Sequence, residues 1–61
     1  MTDLLPITTH EMVTEIEREI AMRERVYPRW IADGKLKQAK ADRQIAILRA
    51  AVARLRELGG G

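Results

Sequence analysis

Sixty-one residues permit one domain, and a chain this short buries only about 60% of its unfolded surface, so it ordinarily leans on disulfides, a metal or a partner. With no cysteine and one histidine, disulfides, thiolate zinc and a His-rich metal site are excluded, which leaves oligomerisation. Charged residues make up 33% of the chain yet leave a net charge of only +2, a balance more typical of solvated helix faces than of a nucleic-acid binder.

Residues 1–8 read as an extended lead-in, with Pro6 discouraging helix at Leu5. They lack the basic start and apolar run of a signal peptide. No window approaches the 18 apolar residues of a membrane span. The expectation is a soluble, cytoplasmic protein with no membrane partner. Ile7-Thr8-Thr9-His10-Glu11-Met12 is a helix start: Thr8 caps the first turn, Glu11 reaches back three residues later, and Ile7 with Met12 forms the hydrophobic staple. Glu11 also suits the positive end of the helix dipole.

The first helix is predicted over about 9–32. Val13, Ile16, Ile20, Tyr27 and Trp30 recur at spacings of three, four and seven, with Arg23 in the intervening slot and Met12 and Val26 widening the stripe. Pro28 removes a donor and crowds the carbonyl of Glu24, which predicts a kink there. Asp33-Gly34 ends the helix, because glycine takes the left-handed conformation of a C-cap. After a turn over 33–36, a second helix is predicted over about 37–57. Its start is poorly capped, with Lys35, Lys37 and Lys40 where the dipole disfavours cations. Its alanines, leucines and arginines are good helix formers, and residues 59–61 read as a flexible glycine tail.

The second helix is apolar on two sides. One stripe, Ala41, Ile45, Leu48, Val52 and Leu55, faces the first helix, setting Ile20 near Leu48, Ile16 near Val52 and Val13 near Leu55. The other, Ile47, Ala51 and Leu58, asks for another neighbour. The fold class is therefore all-α, an antiparallel two-helix hairpin over 9–58 with coiled-coil-like packing. A homodimer or higher homo-oligomer completes it, with Ile47, Ala51 and Leu58 as the self-association face.

Tyr27 and Trp30, beside the proline, read either as an anchor for a partner or, more simply, as filling for the wide end of the hairpin. Arg25, Arg29, Lys35 and Lys37 collect positive charge around the turn, while Glu11, Glu15, Glu17 and Glu19 make the other end acidic. Arg25, Tyr27, Arg29, Trp30, Lys35 and Lys37 are thus the candidate partner-binding residues. Arg49, Arg54 and Arg56 need no role beyond complementing the helix dipole. His10 stands without a second ligand or a nucleophile, and no catalytic, cofactor-binding or metal residue is assigned.

The runs Glu17-Arg18-Glu19-Ile20, Met22-Arg23, Val26-Tyr27-Pro28-Arg29-Trp30, Gly34-Lys35-Leu36 and Ala41-Asp42-Arg43-Gln44-Ile45-Ala46 span about residues 15–48. Their pattern, REI-x-MR-x-x-VYP, then GKL, then AD-x-QI, resembles a group of short bacteriophage and prophage proteins. Lys37 departs from it, since Ser or Thr is common there and would cap the second helix. The resemblance implies a phage origin, a bacterial cytoplasm and a non-enzymatic accessory that binds and modulates a host protein of defence, regulation or motility. Nucleic-acid binding by the basic turn and a part in virion assembly are the alternatives.

Overall fold

The computed structural model describes residues 6–59. Among these there are two helices and no strand: α1, Thr9–Ala32, and α2, Gln38–Leu58, packed against each other as a helical hairpin. The predicted bounds hold to within one residue, the ordinary ambiguity of helix ends: α2 begins at Gln38 rather than Lys37 and ends at Leu58 rather than Glu57. The lead-in expected of residues 1–5 and the free tail expected of 60–61 lie outside the described residues.

Local chemistry sets the ends of α1. Thr8 is extended; its hydroxyl accepts from the Glu11 N–H at 3.0 Å, and the Glu11 carboxylate accepts from the Thr8 N–H at 3.0 Å. The capping box thus forms, satisfying donors that a helix start leaves without partners. The helix runs unbroken through Pro28 and closes at Gly34, whose φ of +78° only glycine adopts without strain. The Gly34 N–H donates to the Ile31 carbonyl at 3.0 Å and the Lys35 N–H to the Trp30 carbonyl at 2.9 Å, the two bonds of a Schellman motif. At the start of α2, Lys37 makes no side-chain cap bond and the first turn holds no acid. A lysine there offers neither an oxygen for the orphan N–H groups nor negative charge for the dipole.

Val13, Ile20 and Val52 form the buried centre, with Ile16, Ile45, Leu48 and Leu55 packed around it. Tyr27 and Ala41 are also buried. The molecule is only 13 Å across its shortest axis, about one helix thick. Two helices side by side shelter only the strip between them, and no described side chain is completely enclosed.

Two expectations need correction. Trp30 does not fill the wide end of the hairpin beside Tyr27: it is 45% exposed, its ring tilted against the Tyr27 ring at 5.7 Å between centroids. Gly59 is not simply the start of a flexible tail. A Cβ there would stand 3.1 Å from Thr9 Cγ2, so the end of α2 packs closely on the first turn of α1, and the missing side chain allows the approach.

Candidate interaction surface

The two broad sides of the hairpin differ in chemistry. On one, Arg56 donates to Glu17 at 2.6 Å and Arg49 pairs with Glu24. Ile20, Ala21, Val52 and Ala53 lie between these pairs. Towards the turn, the same side opens into a groove of about 670 Å³ lined by Pro28, Ile31, Ala32, Ala41, Ile45 and Ala46, with Glu24, Arg49 and Asp42 at its edges. Both ion pairs are about half exposed, so each contributes at most about 1 kcal/mol. Their main effect is to tie the helices in one register. Arg49 and Arg56 therefore do more than complement the helix dipole.

The opposite side carries no such ties. Taking about 100° per residue, Met12, Ile16, Glu19, Arg23, Val26 and Trp30 lie on the flank of α1 turned away from Glu17 and Glu24. Gln44, Ile47, Ala51, Leu55 and Leu58 lie on the matching flank of α2, turned away from Arg49 and Arg56. Ile7, Met12, Ile16 and Leu55 line one hollow, which brings the two flanks to the same side of the hairpin. The predicted self-association residues are thus placed with Ile47 54% and Leu58 70% exposed and Ala51 half-buried. Met12 and Trp30 join them as exposed apolar groups.

Two polar contacts interrupt this apolar side, and both are satisfied within the chain. Arg23 donates to the Glu19 carbonyl at 3.2 Å and pairs with its carboxylate. The hydrogen bond to Glu19 raises the pKa of the Arg23 guanidinium further above its ordinary range, so the group stays charged at any working pH. The Tyr27 hydroxyl donates to Gln44 Oε1, which lets an otherwise buried phenol keep a partner. Tyr27 therefore leaves the candidate partner surface and belongs to the packing between the helices.

The remaining candidates, Arg25, Arg29, Lys35 and Lys37, are all exposed. Among the described residues they form no ion pair, nor do Lys40 and Arg43, whereas Arg18, Arg23, Arg49, Arg54 and Arg56 each have a carboxylate partner. The free cations are all within residues 25–43, on either side of the turn. No described helix is long and apolar enough to cross a membrane. No family model, curated protein or solved structure matches the chain.

Proposed function

We propose that this chain is a non-enzymatic accessory of phage or prophage origin, a self-associating helical module that binds a host protein of the bacterial cytoplasm through its basic turn. In this reading the helices run antiparallel, since partner numbers fall along α2 as they rise along α1, and α1 bends at Pro28. The observation that carries the reading is the segregation of chemistry. Paired charges bind the hairpin to itself, an apolar side is left for a copy, and unpaired cations gather at the turn. Those cations suit an acidic surface on the target, where complementary charge steers encounter and sets orientation.

Affinity capture from a bacterial lysate tests this against a variant carrying Arg25→Glu, Arg29→Glu and Lys35→Glu together. The wild type retains a discrete protein that the helical variant loses; equal capture by both would sink the assignment. The same free cations support nucleic-acid binding as a second reading. In that case affinity for DNA or RNA falls linearly on a log–log plot against salt, and no binding at low salt ends the idea.

A further inference from the structure

The apolar side has an internal symmetry in its residues. On α1, Met12 and Trp30, Ile16 and Val26, and Glu19 and Arg23 are each centred on position 21. Read from either end, the stripe runs apolar, apolar, charged; the two charges are opposite in sign. On α2, Gln44 and Leu58, and Ile47 and Leu55, are centred on Ala51. The contacts between the helices bracket their register: the Glu17–Arg56 and Glu24–Arg49 pairs set Ala21 level with Val52, the Tyr27–Gln44 bond with Ala50, and the close approach of Gly59 to Thr9 with Ile47. Ala51 falls inside that span, so the two centres lie at the same level to within about one helical turn, about 5.4 Å. A surface of this kind is complementary to itself under a half-turn, the condition for a two-fold interface.

We infer that two copies dock apolar side to apolar side about a two-fold axis at the level of Ala51, with their turns at opposite ends, giving a four-helix bundle in which α1 faces α1 and α2 faces α2. This rests on the self-association proposed above and adds its geometry. Met12 of one copy meets Trp30 of the second, a favourable sulfur–aromatic contact, and Ile16 meets Val26. Glu19 and Arg23 face the second copy's Arg23 and Glu19, so the charges stay paired while being covered. Ala51 meets its own equivalent, and its small side chain allows the α2 helices to approach. Docking with the turns at the same end would instead press Glu19 and Arg23 onto the apolar flank of α2.

The chain has no cysteine, so single cysteines report the arrangement. Oxidised Ala51→Cys is expected to become almost wholly a covalent dimer. Asp33→Cys stays single, because the turns stand about 35 Å apart, the length of α1. Separately, Glu19→Arg and Arg23→Glu are each expected to weaken association at least about tenfold, and an equimolar mixture of the two to restore it, since each supplies the charge the other lacks. Sedimentation separates the two levels of the claim. A dimer that cross-links through Asp33→Cys and not Ala51→Cys overturns the geometry and leaves self-association standing, whereas a monomer at every concentration overturns both.

Discussion

At the scale of single residues, the two aromatics show how three positions along a helix can separate core from surface. Tyr27 and Trp30 look like neighbours on one stripe, but three residues turn the helix about 300°, which leaves Trp30 about 60° off the line of Tyr27. Over Val13, Ile20 and Tyr27, spaced by seven, the drift stays small and all three are buried; the step to Trp30 carries it onto the open flank. Tyr27 also has a bond to keep. Tyr27→Phe removes its donation to Gln44 and is expected to cost about 1 kcal/mol, seen as a lower urea midpoint at unchanged slope. Gly34 is constrained by its backbone, not by space: nothing lies within 4 Å of a Cβ built there. Gly34→Ala should therefore lose about 1–2 kcal/mol from left-handed strain alone, and Gly34→Asn less.

At the scale of elements, the sequence was most legible where the structure is local. The start of α1 was readable because a capping box needs only Thr8, Glu11 and their spacing, and its end because Gly34 is the only glycine before the tail. The cross-helix pairs went unread, although Glu17 and Glu24, and Arg49 and Arg56, each repeat at seven. Their significance appears only once the register of α1 on α2 is known, and that depends on the length of the turn. The mirror spacing about positions 21 and 51 stayed hidden for a related reason, since nothing in one helix indicates that its centre is level with that of another. The unequal starts of the helices give a matched prediction. Thr8→Ala is expected to cost about 1 kcal/mol, and Lys37→Ser to gain a similar amount by supplying the missing cap. The two melting temperatures should move in opposite directions.

At the scale of the whole molecule, the proposed self-association would divide stability between one chain and its assembly. A hairpin one helix thick leaves much of its apolar surface in water, so its melting temperature is expected to rise with protein concentration as mass action favours the assembled form. Ile47→Lys with Leu58→Lys should remove that dependence while a dilute sample keeps its helicity. Salt distinguishes the two working surfaces. In the proposed assembly the half-exposed ion pairs contribute little and the Glu19–Arg23 pairs are covered from solvent, so added salt should scarcely move the melting temperature yet weaken capture by the basic turn.

The short connection between the helices also bears on how the chain folds. Closing a loop of five residues costs little chain entropy, and each later contact between the helices closes a loop already shortened by the one before. Folding can therefore zip outward from Gly34, with the Thr9–Gly59 contact formed last and lost first. Most contacts being local, the single chain should fold quickly, in the microsecond-to-millisecond range of simple helical proteins. Native-state hydrogen exchange would show it as a gradient: amides near Val13 and Leu55 open at the lowest free energy, and those flanking Tyr27 and Ile45 at the highest. A uniform profile would mean that the hairpin opens all at once.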